Sequence, residues 1–277
     1  MRCIKLPQFQ NVGPNQRVSL TLNLGVTYEK IYIALGTNIT TSLISNIVLK
    51  MNNKEMARWN SAADLIALNA YKGNQTASNY LTLDFTERLA RDIVGVKLGT
   101  IAACQEAGVQ SFSLEFDLGS YTLVTGSTIT GYADIEQPSA NKVIPRIQVL
   151  QKVIAAAATE QIIVPFGQNG FQLKRMIIKH TNLSSVKVRR DGVDIYEDLP
   201  ILLANQRESD FGRIPQSGYQ IVDFMPDSLQ SNALNTAFIR SDATTVTPVA
   251  NLDIRLTTTA ADTITVYTEA YALNGQL

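Results

Sequence analysis

The 277-residue chain holds one histidine and two cysteines, so its stock of reactive side chains is short. His180 ends an alternating run, flanked by Lys179 and Thr181. A Ser-His-Asp or Cys-His site would need it as the base, yet no Gly-x-Ser-x-Gly turn leads into a helix. Its imidazole is expected at a strand end, facing solvent. A cupin-type or facial-triad metal centre takes at least two histidines and a carboxylate in one barrel, and a single histidine does not supply it. Cys3 and Cys104 have neither metal-ligand nor Cys-x-x-Cys spacing, which makes free thiols in a reducing compartment the default. Phe166-Gly-Gln-Asn-Gly170 lacks the Lys-Ser/Thr that completes a phosphate loop. Asn38, Asn74 and Asn182 open glycosylation sequons, but Arg2, Lys5 and Pro7 interrupt any apolar leader, and we expect no secretory signal. No catalytic or cofactor-binding residue is assigned, no cofactor is required, and metal ligands stay unnamed. The chain is not expected to be an enzyme.

Two acids do recur. Asp84 lies in Tyr80-Leu-Thr-Leu-Asp-Phe85, and Asp223 lies in Tyr219-Gln-Ile-Val-Asp-Phe224, 139 positions later. At equivalent points of separate domains they read as helix-start caps, Asp84 lying just before Thr86-Glu87. Two further pairings fall at the same offset. Asn52-Asn53 matches Asp191-Gly192, each between alternating runs, and Ser113–Leu118 matches Leu252–Thr257. Three anchors in one order at one offset indicate an internal duplication, and so long a period makes each copy a whole domain.

The elements that position these residues are short and alternating. In the first copy, Arg17–Leu24, Lys30–Leu35, Ser45–Met51, Lys54–Trp59, Asn79–Phe85, Val96–Ile101, Gln110–Leu118 and Ser127–Glu136 read as strands. Asn52-Asn53 makes a hairpin turn. Ser61–Tyr71 is a short helix with a capping-box start, and Thr86-Glu-Arg-Leu opens another that Gly95 ends. Met1 to Gln16 reads as a lead-in arm, and Ile4–Gln8 resembles Ile147–Gln151. The linker is Gln137–Asn141, which sets domains of 1–140 (arm plus first copy) and 141–277. In the second copy Glu160–Phe166, Phe171–His180, Ser185–Arg190, Val193–Asp198, Tyr219–Phe224, Asn235–Arg240, Ala250–Thr257 and Thr263–Tyr271 are strands. A helix Pro200–Arg207 starts from Asp198.

Eight alternating strands per copy, with short helices only after the fourth and fifth, suit an all-β sandwich. We read two tandem eight-stranded jelly rolls, a double jelly roll. The 24 basic and 24 acidic residues cancel, so phosphate-driven nucleic-acid binding is not expected. The densest basic run, Lys187-Val-Arg-Arg190, reads as a solvated face or a subunit contact. Trp59 reads as core or a subunit contact. No segment reaches the ~20 apolar residues of a helical membrane span.

Two tandem rolls, a lead-in arm, a neutral surface and no catalytic machinery resemble the double-jelly-roll major capsid proteins of tailless, icosahedral, membrane-containing bacteriophages. The opening Leu6-Pro-Gln-Phe-Gln-Asn-Val-Gly-Pro-Asn-Gln-Arg-Val-Ser-Leu-Thr-Leu is similar to the coat proteins of the corticovirus type. The resemblance implies a homotrimeric, pseudo-hexagonal capsomer of a virion shell, assembled in the host cytoplasm. Its implied partners are itself, neighbouring trimers, vertex or penton proteins and membrane-associated virion proteins. It also implies an internal membrane under the shell, which an arm carrying Arg2 and Lys5 would reach unless it reaches a neighbouring trimer. Structural calcium belongs to such relatives, but no contiguous Asp-x-Asp-x-Asp-Gly loop occurs here. The competing function is a glycan- or receptor-binding tandem β-sandwich, lectin or spike-like. An exposed aromatic cluster in the loops would favour it, and Tyr121, Tyr132 and Tyr219 are too dispersed to decide between the two.

Overall fold

The computed structural model describes residues 2–74, 77–90, 92–164, 171–239, 246–249 and 251–276. The chain divides into two compact units, residues 1–148 with 273–277, and residues 149–272.

Unit 1 is built from β1 (Arg2–Lys5), β2 (Arg17–Thr21), β3 (Val26–Leu35), β4 (Ile44–Met51), β5 (Lys54–Ser61), α1 (Ala62–Tyr71), β6 (Tyr80–Asp84), α2 (Ile93–Lys97), β7 (Ile101–Ala103), β8 (Phe112–Leu118) and β9 (Ile129–Glu136). β10 (Val143–Ile154) leaves unit 1 and enters unit 2. One sheet of unit 1 runs β1-β9-β3-β6 with β7 also on β3, and the other runs β10-β5-β4-β8-β2. Alternation explains the layering: in β8, Phe112, Leu114, Phe116 and Leu118 are buried while Ser113, Glu115 and Asp117 are not. The buried set joins Ile31, Ile33, Ile47, Leu49 and Leu83 in a core between the sheets.

Unit 2 repeats the plan with β11 (Thr159–Ile162), β12 (Gln172–Lys179), β13 (Leu183–Arg190), β14 (Val193–Pro200), α3 (Ile201–Asp210), β15 (Tyr219–Asp223), β16 (Leu234–Asn235), β17 (Ala237–Ile239), β18 (Val246–Pro248), β19 (Leu252–Thr258) and β20 (Asp262–Leu273). β12 lies between β15 and β20 as β3 lies between β6 and β9. The order β11-β19-β13-β14 repeats β2-β8-β4-β5. Two rolls of one design are therefore present, each a mostly antiparallel pair of sheets.

The hairpin turns are equivalent in backbone as well as in place. Asn52 and Asn53 have φ of 51° and 63°, and Asp191 and Gly192 have 50° and 83°. Both central residues are left-handed, the turn whose twist matches its flanking strands. The helices end alike too, on Gly73 at φ 74° and Gly212 at φ 77°.

Several sequence expectations shift. The third anchor slips by one. Met51 faces Phe112 and its equivalent Arg190 faces Leu252, so the true partners in β8 and β19 are 140 apart. Such a slip inverts every side chain, which is why Leu114 aligns with buried Ile254 rather than Asp253. Residues 86–90 form no helix. α2 begins after Asp92, whose carboxylate accepts from Gly95 N at 2.6 Å, and Gly95 lies inside it. The expected strand Val96–Ile101 is reduced to β7, which starts at Ile101. Asp198 does not cap α3; it has φ 40° inside β14, and the position before the helix is Pro200, with no side-chain cap. Ser61 does cap α1, accepting from Asp64 N at 3.3 Å. Residues 2–5 are not a free arm but a strand on β9, followed by buried Leu6 and Phe9. The ends of the expected strands Glu160–Phe166 and Asn235–Arg240, and the whole Phe166–Gly170 loop, lie outside the described residues.

Candidate functional site

Each duplicated aspartate anchors a polar site in its own unit. In unit 1, register places Lys30 of β3 between Asp84 of β6 and Asp134 of β9. Lys30 Nζ lies 2.9 Å from Asp84 Oδ2. The same oxygen accepts from Asn74 Nδ2 at 2.9 Å, while Oδ1 accepts from Thr86 N at 2.9 Å and Thr86 Oγ1 at 2.7 Å. Tyr32 donates its hydroxyl to Asp134 at 2.8 Å, and both burial and that carboxylate hold the phenol in its protonated form. Asp84 thus caps a turn after its strand and neutralises a lysine.

Unit 2 rebuilds the arrangement with more charges. Arg175 of β12 lies between Asp223 of β15 and Glu269 of β20. Its guanidinium is 3.4 Å from Asp223 and 2.9 Å from Glu269. Arg213 stands 3.5 Å from Asp223 and donates to Ser228 Oγ at 2.8 Å. Met225 N donates to Asp223 Oδ1 at 2.9 Å, the equivalent of the Thr86 bond. Lys174 reaches Glu269 at 2.9 Å and lies 4.5 Å from the centre of the Tyr271 ring. All five charged side chains are buried. Cations and carboxylates pair with one another across β12, β15 and β20, so this cluster locks those strands together. Sequence reasoning found the aspartates but missed their cations; the offset of 139 from Asn74 to Arg213 was the available signal.

His180 lies just past β12 and is half-buried rather than solvent-facing. Its Nδ1 accepts from Leu183 N at 3.3 Å, tying the turn into β13. Burial pushes its pKa down, against the pull of Asp262. Burial also raises the Asp262 carboxyl, but N–H bonds from Asn182, Thr181 and Thr263, with the nearby His180, outweigh that and hold it low. Among the described residues no serine or cysteine is hydrogen-bonded to the imidazole. Cys3 is exposed and Cys104 buried, both free.

The other singled-out residues have structural partners. Trp59 is buried in the core. Lys187 and Arg189 share Asp194, at 3.5 and 2.7 Å, and Arg190 donates to Asn235 O at 3.3 Å. The sequon amides of Asn38, Asn74 and Asn182 donate to Thr122 O, Asp84 and Ala261 O. Exposed aromatics among the described residues are Tyr80 and Phe211, one in each unit. A cleft of about 570 Å³ in unit 1 is lined by Arg2, Gly25, Val26 and 135–138. Among the described residues no group of three or more His, Cys, Asp or Glu side chains is placed to hold a metal. No described helix is long and apolar enough to cross a membrane.

A family model described as the viral coat protein P2 N-terminal domain matches residues 3–136, and one described as its C-terminal domain matches residues 144–274. The chain belongs to the viral coat protein P2 family. A coat protein of this family is a structural component of the virion shell, assembled in the host cell. The family boundary falls at the entry to β10, between the two rolls.

Solved structures agree on the fold. The major capsid protein P2 from bacteriophage PM2 superposes with a TM-score of 0.84 at 16% identity, covering 98% of this chain and 97% of that one. The major capsid protein of Sulfolobus turreted icosahedral virus (STIV) gives 0.66 at 12% identity, covering 98% and 96%. A PBCV-1 virus capsid protein gives 0.58 at 12%, covering 98% and 92%. A search of curated protein sequences finds no match.

Proposed function

We propose that this P2-family coat protein is the major capsid protein of an icosahedral, membrane-containing bacteriophage, and that it works as a homotrimer. The carrying observation is the equivalence of the two rolls, down to strand order, turn conformation and the ion pair of the repeated aspartate. Three chains with two like rolls supply six like units around a three-fold axis. Such a capsomer has a nearly hexagonal outline and tiles a shell beside its copies. Its work is packing, so it needs no reactive side chain. Neighbouring trimers, a vertex protein and proteins of an underlying membrane are the partners such a tile would meet.

Light scattering on the purified chain tests this. One chain is 30.4 kDa, so a trimer should weigh three times that, about 91 kDa. A monomer at shell-forming concentration would overturn the proposal.

A further inference from the structure

The two rolls differ at one strand edge. In unit 1 the outer edge of β5 is covered by β10, which runs parallel to it with Ile147 opposite Ala57. In unit 2 the equivalent strand, β14, pairs with β13 and has no strand beyond it among the described residues. Val193 and Ile195 on that edge are 67% and 39% exposed. An open edge carrying apolar side chains is a template for another strand. The chain also carries a strand of the matching kind. β10 is the lead-in to the second roll, and β1 is the lead-in to the first. β1 pairs with β9 along one side, and its other side has no partner strand among the described residues.

We propose that β1 of one copy pairs in parallel with β14 of a neighbouring copy, as β10 pairs with β5 within a single chain. The occupant is a second copy of this chain, so the proposal rests on the assembly proposed above. Internal equivalence sets the register. Ile4 corresponds to Ile147 in the lead-in echo, and Tyr196 corresponds to Ala57 at the offset of 139. Ile4 then falls opposite Tyr196, Cys3 opposite Ile195, and Lys5 opposite Glu197. Charge supports this choice of occupant. β1 contributes Arg2 and Lys5, whereas β14 contributes Glu197 and Asp198, its Asp194 being held by Lys187 and Arg189 of β13. Opposite charges on facing strands favour pairing, and two copies of β14 would repel. Adding one strand also buries Val193 and Ile195, which the chain alone leaves in water.

The exposed Cys3 is a built-in probe, since Cys104 is buried. Neighbouring strands lie about 4.8 Å apart, within the span that a disulfide bridges. Val193→Cys, Ile195→Cys and Glu197→Cys are made singly, weighed by light scattering, oxidised mildly and run on non-reducing gels. Ile195→Cys should give a reducible ladder of covalent dimer and trimer that vanishes when Cys3→Ser is added. A trimeric mass with no ladder from any of the three variants overturns the strand pairing and leaves the trimer standing. A crosslink that stays within one chain, adding no mass, also overturns it. A monomeric mass overturns both the pairing and the trimer.

Discussion

Arg213 occupies in unit 2 the place that Asn74 occupies in unit 1, each aimed at the aspartate that ends the following strand. Asn74 donates to Asp84 at 2.9 Å, and Arg213 stands 3.5 Å from Asp223. The backbone amides of the two residues also bond alike, Asn74 N to Asn69 O at 2.9 Å and Arg213 N to Glu208 O at 3.1 Å. One ancestral device, a helix end that delivers a donor to a strand end, has thus diverged into a mixed polar site and a buried ionic one.

The divergence predicts unequal costs. Asp223→Asn keeps the acceptor for Met225 N but leaves Arg175 and Arg213 buried without that charge. We expect a loss of about 3–5 kcal/mol. Asp84→Asn should cost only about 1–2 kcal/mol, because Lys30 retains 23% side-chain exposure and can turn to water. Urea unfolding of both variants checks the order, and equal losses would contradict it.

The hairpin turns give a second contrast. Gly192 has φ 83° with open space where a Cβ would stand, so Gly192→Ala should cost only the left-handed penalty of about 1–2 kcal/mol. Asn53→Gly removes a side chain from the same backbone region and should change stability by less than about 1 kcal/mol. Thermal unfolding midpoints separate the two.

Gly131 holds the N-terminal segment in place. A Cβ there would sit 3.1 Å from Leu6 Cβ and 3.2 Å from Phe9 Cε2. Gly131→Val should lift Leu6 and Phe9 from the core and speed amide exchange across residues 2–9. Unchanged exchange would mean that the segment is anchored elsewhere.

Acid should weaken unit 2 through His180. Burial depresses its native pKa, so as pH falls through about 6.5 the unfolded chain takes up the proton more readily. Stability present above that pH is then lost on the way down to the native value. Between pH 7 and pH 5 the melting temperature of the wild type should fall further than that of His180→Asn. Parallel slopes would refute the assignment.

What was legible in the chain was whatever duplication had kept in register. Asn52-Asn53 and Asp191-Gly192 are visible because only a few residue types accept consecutive left-handed positions. Tyr80–Phe85 and Tyr219–Phe224 are visible because one face is core and the final aspartate is capped and charged. The β8–β19 match went astray by one residue, since an insertion in a loop leaves alternation intact while exchanging its faces. β1 escaped notice because Arg2-Cys-Ile-Lys5 has too little pattern of its own; β9 makes it a strand. The cations Lys30, Arg175 and Lys174 could not be read at all. They look like solvent-facing charges in an alternating run until neighbouring strands bring the acids.

Averaged electron micrographs of the purified coat protein test the central claim most directly. The equivalence of the rolls predicts particles of three chains whose end-on view shows six like lobes with three-fold symmetry. Particles with three lobes, or a two-fold or four-fold outline, would contradict it.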